Sequence, residues 1–238
     1  MSSFGLSPAL AEILPPVVTR FLGPVCCCES ERNDDVTVVG IATLETPGTE
    51  DRPKYDCGDG DFYTGQWLGG LRHGHGLLER ANGSKYDGAW NEGESTGIGM
   101  ETLGSGHRYQ GSFLNGKRHG YGRCEFEDGR HFCGQWANGR MHGDGQMKWP
   151  NGMQYDGQYV NDKKSGMGQY IWPDGRMYYG EWAKNKQHGN GTYTDVKGVS
   201  WTGQWHYGKK LEKYKPEVEK PSLGSEASTA GVEHIEGS

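Results

Sequence analysis

The pattern aromatic-x-Gly-x-aromatic occurs seven times in this chain, and its first residues fall at 63, 86, 109, 132, 155, 178 and 201, a step of 23 each time. The copies are Tyr63–Trp67, Tyr86–Trp90, Tyr109–Phe113, Phe132–Trp136, Tyr155–Tyr159, Tyr178–Trp182 and Trp201–Trp205. A fixed period of this length means a stack of like units, each of which buries its apolar side on its neighbours. A catalytic centre has no use for seven copies of one residue pattern; a ladder does. Within a unit, Tyr178, Gly180 and Trp182 alternate with strand period, as do Gly189, Gly191 and Tyr193. Between them lies a column of turn residues, Gly70, Gly93, Gly116, Gly139, Asp162, Asn185 and Gly208, all types that tolerate positive φ. A second turn follows at Asn82-Gly83, Ser105-Gly106, Asp128-Gly129, Asn151-Gly152, Asp174-Gly175 and Lys197-Gly198, mostly strong hairpin dipeptides. Each unit therefore reads as a β-hairpin, and the fold as all-β: an elongated, single-layer antiparallel meander of thirteen to fifteen strands, about 60–70 Å long at strand spacing. Glycine in a neighbouring strand leaves room for an aromatic ring to lie on the backbone, and the ring's burial offsets the strand penalty of glycine.

Composition agrees with such a fold. There are 41 glycines, 8 tryptophans and 13 tyrosines, too aromatic for a flexible linker and too poor in aliphatic residues for a two-layer core. Net charge is −6, but residues 61–210 hold 18 Lys/Arg against 15 Asp/Glu, so a mildly basic centre sits between acidic ends. That is too weak for a nucleic-acid reader. No stretch has the length and apolarity of a membrane-spanning helix. The start lacks a secretory pattern and the Gly needed for myristoylation. Three adjacent cysteines and three scattered ones do not make a disulfide framework, which fits a reducing compartment.

Three regions follow. Residues 1–54 are a non-repetitive extension, expected to be a partner-binding arm. Ser7–Val25 is apolar but broken by Pro15 and Pro16, Val36–Leu44 has strand character, and Thr46–Pro53 reads as a linker. Residues 55–210 are the array: a lead-in half repeat, six full repeats and a closing half repeat. Residues 211–238 begin charged and are expected to be mostly disordered.

The stretch "YYGEWAKNKQHGNGTYTDVKG" (Tyr178–Gly198) resembles the MORN repeat (membrane occupation and recognition nexus), and the likeness extends over about residues 55–208. The resemblance implies a non-enzymatic scaffold. The His-Gly turns, "LRHGHG" (Leu71–Gly76) and "GKRHGYG" (Gly116–Gly122), are most similar to those of ciliary and axonemal members such as radial-spoke components. The second repeat departs from the pattern, with Thr96 in place of His. The fifth has Ser165 for His and Tyr159 for Trp. The second is expected to be a soft spot, or a place where a partner supplies missing contacts.

The fourteen aromatics Tyr63, Trp67, Tyr86, Trp90, Tyr109, Phe113, Phe132, Trp136, Tyr155, Tyr159, Tyr178, Trp182, Trp201 and Trp205 are expected to form a face left partly uncovered by the single layer, and so a partner-binding face. The partners expected are other structural proteins of the axoneme or cytoskeleton, with a homodimer as a lesser option. No cofactor or metal is expected: His73, His119, His142 and His188 are one or more repeats apart, about 10 Å per repeat, too far to share an ion. Basic residues recur in the turns (Arg72, Lys117-Arg118, Arg140, Lys163-Lys164, Lys184, Lys186, Lys209-Lys210) and make a positive edge. That edge suits either solubility or acidic lipids and proteins. Cys26, Cys27 and Cys28 are candidate S-acylation sites that would serve a membrane-associated alternative.

Overall fold

The structure, a computed structural model, describes residues 48–211. The readings for Ser7–Val25, Val36–Leu44, Cys26–Cys28 and the C-terminal tail fall outside them. Within the described residues the chain forms one fifteen-stranded antiparallel sheet in which every strand pairs with its sequence neighbours. The strands are β1 (Glu50–Gly58), β2 (Asp61–Leu68), β3 (Leu71–Glu79), β4 (Lys85–Asn91), β5 (Glu94–Thr102), β6 (Arg108–Leu114), β7 (Lys117–Glu125) and β8 (His131–Ala137). They continue with β9 (Arg140–Lys148), β10 (Gln154–Val160), β11 (Lys163–Ile171), β12 (Met177–Ala183), β13 (Lys186–Thr194), β14 (Ser200–His206) and β15 (Lys209–Lys210). β1 takes in Glu50–Pro53, part of the stretch read as a linker.

Three strand glycines of each unit have three different reasons. Gly65 of β2 faces Gly76 of β3 directly, and a Cβ on Gly65 would collide with the Gly76 backbone. Gly76 in turn lies under the Tyr63 ring, where a Cβ would strike the phenol. The same arrangement recurs at Gly111/Gly122 under Tyr109 and at Gly180/Gly191 under Tyr178. Gly74, the first of the His-Gly glycines, has another role: its φ is +62°, in the left-handed region. It belongs to a bulge in which the two steps from Gly65 to Trp67 on β2 oppose the four from Gly76 to Arg72 on β3. Because the excess is two residues, side-chain alternation survives the bulge. The Gln or Glu directly after the strand glycine closes it: the Gln66 Oε1 accepts a hydrogen bond from His75 N at 3.0 Å, Gln135 from Asp144, Gln158 from Met167 and Glu181 from Asn190. Ala89 and Ser112 stand at this position in the second and third units, with no such reach.

The two turns exchange the roles that their sequences suggest. The first turn has positive φ at both central residues, as a type I′ hairpin does, even where Glu92 (48°), Lys184 (50°) and Tyr207 (46°) occupy the first position. The second turns, from Asn82-Gly83 to Lys197-Gly198, have positive φ at the glycine alone. They are longer loops, closed by pairs such as Arg80 N to Ser84 O and Gly83 N to Arg80 O, with the Asn82 Oδ1 accepting from Ser84 N. Twist matching sets the two-residue turn, so the tighter connection takes the I′ geometry and non-Gly residues accept it.

Two substitutions separate the roles of glycine. Gly122→Ala drives a methyl into the Tyr109 ring and is expected to cost about 3 kcal/mol. Gly116→Ala, at φ +71° in open space, is expected to cost about 1 kcal/mol. Urea denaturation of the two variants measures the difference, and equal losses would contradict the ring-on-glycine account.

Candidate partner-binding face

Thirteen of the fourteen aromatics form one unbroken chain of edge-to-face contacts, from Trp67 through Tyr63, Trp90, Tyr86, Phe113, Tyr109, Trp136, Phe132, Tyr159, Tyr155, Trp182 and Tyr178 to Trp205. For example, Tyr86 meets Trp90 of its own unit at 5.0 Å and Phe113 of the next at 4.9 Å, with ring planes at 86° and 83°. Edge-to-face pairs contribute about 0.5–1.5 kcal/mol each beyond the area they bury. Tyr hydroxyls donate to the carbonyl three residues on, as Tyr63 does to Gln66 O at 3.0 Å. Trp indoles donate to the carbonyl fourteen residues back: Trp90 to Gly76, Trp136 to Gly122 and Trp182 to Gly168. The Trp67 Nε1 is buried without a partner among the described residues; the residue fourteen back, Pro53, falls in the register slip of β1 between Arg52 and Tyr55.

This corrects the expectation of an uncovered aromatic face. The thirteen rings are the core, none more than 7% exposed. Trp201 differs. It is 37% exposed and stacks on Tyr193 at 4.5 Å, since β15 is two residues long and brings no glycine beneath it. The face is closed by the rings themselves and by cations laid across them. These cations form a column at 72, 118, 164 and 210, every second repeat, with Ser95, Met141 and Gln187 in between. Each lies over the ring nine residues before it: Arg72 over Tyr63 (6.0 Å), Arg118 over Tyr109 (4.9 Å), Lys164 over Tyr155 (5.2 Å) and Lys210 over Trp201 (4.9 Å). The first three also meet the Trp eighteen residues on, at 4.4, 5.4 and 4.7 Å. Their neutralisation differs. Arg72 donates to Gly93 O at 2.9 Å, and Arg118 pairs with Glu101 at 2.8 Å, while the Lys164 ammonium meets rings alone among the described residues.

Further rings flank the face. Phe126, Trp149 and Trp172 precede successive turns, and all three are half-buried against the core. Trp149, Pro150, Asn151, Asp128 and Arg130 line an open cavity of about 420 Å³. A second cavity of about 160 Å³ lies at Ser95, where the cation column is interrupted, lined among others by Arg72, Arg80, Tyr86, Trp90 and Glu101. It falls in the second repeat, where a missing contact was expected. The sequence reading set Arg72, Arg118, Lys164 and Lys210 in a positive edge; their place over the rings at every second repeat escaped it, as did the Phe126 column, although both keep the 23-residue register.

An open, one-layer ribbon of tandem hairpins, with a ring ladder for a core, is a repeat protein of the solenoid kind. A family model, the MORN repeat, matches residues 63–85, 86–108, 109–129, 132–154, 155–175 and 178–200, together more than half of the 238 residues. The chain belongs to the MORN repeat family. Its fold and family are those of a repeat scaffold. A search of curated protein sequences finds no match. Among solved structures it is similar to the TCP domain of SAS-4 (dCPAP) from Drosophila melanogaster, in complex with a proline-rich motif of Ana2 (dSTIL). That likeness has 11% identity and a TM-score of 0.37, and covers 55% of this chain and 72% of that one.

Burial raises the phenol pKa of Tyr63, Tyr86, Tyr109, Tyr155 and Tyr159 far above the ordinary 10.0, and pushes that of Tyr178 up to about 12. The folded chain therefore keeps protons that the unfolded chain releases above pH 10, and stability falls as pH rises beyond that value. Lys164, lowered to about 8 by desolvation, acts in the opposite sense: unfolded, it holds a proton up to about pH 10.5, so between 8 and 10.5 stability gains with pH. Urea midpoints are expected to rise modestly through pH 8–10 and drop steeply above; a flat profile would contradict both. For Arg118 and Glu101, both less than a quarter exposed, a double-mutant cycle to Met should give a coupling of about 1–2 kcal/mol.

Proposed function

We propose that this chain is a non-enzymatic scaffold of the ciliary axoneme, a radial-spoke or microtubule-associated component, that docks partner protein segments along its ring-bearing face. The observation that carries the docking is the one-layer architecture: among the described residues no second sheet or helix covers the face. The rings act as its frame, and the contacts fall to the cations, the half-buried Trp149 and Trp172, exposed Trp201 and the gap at Ser95. A rigid ladder holds these features at fixed intervals, which lowers the ordering cost of binding. Support for the axonemal placement is the likeness of the His-Gly turns Leu71–Gly76 and Gly116–Gly122 to those of axonemal members.

A second reading, a membrane-associated adaptor, has one observation in its favour. Lys117, Arg140, Lys163, Lys186 and Lys209 begin five successive second strands and are all exposed, a row of charge suited to acidic headgroups. Fractionation of tagged wild type and a Cys26/Cys27/Cys28→Ser variant in ciliated cells, with mass spectrometry of co-purifying proteins, decides between them. The scaffold reading expects both to remain with the detergent-insoluble axoneme and to bring spoke or microtubule proteins. Wild type that floats with membranes, and a variant that does not, would replace it with the lipid-anchored adaptor.

A further inference from the structure

Lys164 occupies a place that the repeat has already built once with its charge balanced. At the equivalent place two repeats earlier, Arg118 lies over Tyr109 and Trp136 and pairs with Glu101, seventeen residues before it. Seventeen residues before Lys164 stands Met147, 2% exposed and uncharged. The ammonium is ringed instead by Tyr170 at 4.4 Å, Trp182 at 4.7 Å, Tyr155 at 5.2 Å and Trp149 at 5.4 Å. The Arg118 site has Cys124 and Leu103 where Tyr170 and Trp149 stand. Among the described residues no carboxylate forms an ion pair with Lys164. The side chains that face it bring no charge: Met147 from β9, Trp149 just after that strand, Tyr155 from β10, Tyr170 from its own strand and Trp182 from β12. Burial keeps both tyrosines protonated.

Cation–π contact compensates an ammonium for part of its lost water, but aromatic rings provide no lone pair in line with its N–H bonds. Lys164 is half-buried and lies on the face that no second layer covers among the described residues. We propose that Lys164 anchors a carboxylate of an acidic partner segment laid across the ring-bearing face. Trp149 and Trp172 would pack its stem, and the partner's Asp or Glu would stand to Lys164 as Glu101 stands to Arg118. The inference rests on the scaffold reading and names the chemistry of its partner. Complementary charge is the reason to choose this occupant: the site has a cation, a desolvated surround and no anion.

Proton linkage gives the site a signature that no exposed lysine shares. A carboxylate binds the charged ammonium, and the free Lys164 loses its proton near pH 8. Affinity through Lys164 therefore falls as pH rises through about 8, whereas affinity through exposed lysines persists to about 10.

The test uses the purified full chain and a fluorescein-labelled short poly-glutamate peptide, read by anisotropy, with poly-glutamine as the neutral control. Wild type should bind poly-glutamate alone, more weakly above pH 8. Lys164→Gln should weaken binding about tenfold or more. Lys197→Gln, at an exposed turn position outside the row of charge, should leave it unchanged. Lys164→Arg should bind and lose the pH 8 inflection, since guanidinium stays charged. Met147→Glu should restore the internal carboxylate and abolish binding; should that buried substitution unfold the chain, the Lys164 variants still decide. Binding that survives in Lys164→Gln overturns the proposal, as does absence of binding or a profile flat to pH 10. Binding to phosphatidylserine-containing vesicles but not to poly-glutamate would overturn it in favour of a membrane. Because the assay involves no cell, its failure leaves the scaffold reading standing. Failure of the fractionation experiment leaves a positive peptide result intact.

Discussion

The contact on which the structure depends is a tyrosine ring lying on a pair of facing glycines. Gly65 and Gly76 meet across β2 and β3 with no side chains, and Tyr63 fills the space with a ring and hands its hydroxyl to the Gln66 carbonyl. A methyl on either glycine has nowhere to go. Once the ring is seated, its edges are fixed, and Trp67 and Trp90 can meet it only at right angles. The ring of one unit is thereby also the seat of the next. Phe132 shows which part is essential: it keeps both edge-to-face contacts and the glycine seat, without a hydroxyl to donate. Shape and ring edges maintain the ladder, and the phenol bond is an addition made at the five of the seven leading positions where a Tyr stands.

Nearest-neighbour construction explains why one layer of sheet suffices. In a sandwich the rings would need a second sheet; here each is covered by its ring neighbours and, in every second repeat, by a cation stem lying along the face. Arginine and lysine suit that position because their aliphatic stems bury well while the charged end rests on a ring. The two-repeat period of these cations is the highest level of order in the chain, and it is invisible to a consensus built on 23 residues. The array ends where its rule stops: β15 has two residues, Trp201 lacks the glycine pair above which Tyr178 sits, and it is left partly exposed.

Most of the architecture was legible in the sequence because period, alternation and turn chemistry all point to the same hairpin. The left-handed column from Gly70 to Gly208 was correctly read, including Asp162 and Asn185. What was misread follows from one dimension too few. Alternation says that fourteen aromatics share a face but not that rings 5 Å apart cover one another, so a core was taken for an open surface. The glycine pair of each second strand was read as one device, and the bulge that makes Gly74 left-handed while Gly76 lies beneath a ring needs the register of the partner strand to be seen. The Gln of "YTGQW" looked like a variable position; its work, closing the bulge at His75 N, depends on the same register.

A repeat array makes its own controls. Because Arg118 and Lys164 occupy the same place in the same lattice, about 19 Å apart across four strand spacings, their differences cannot come from the fold and must come from the few residues that differ. The core columns have little freedom: glycine and ring positions are fixed by sterics. Positions that vary without disturbing the ladder, such as 101 against 147 or 95 against 118, are where an array acquires individuality. Leaving a cation without its carboxylate costs stability in any folded protein, and Glu at 147 would have removed that cost by a device that the chain already uses. A charge left unbalanced at one register, and balanced at another, marks the register at which something outside the chain can complete the pair.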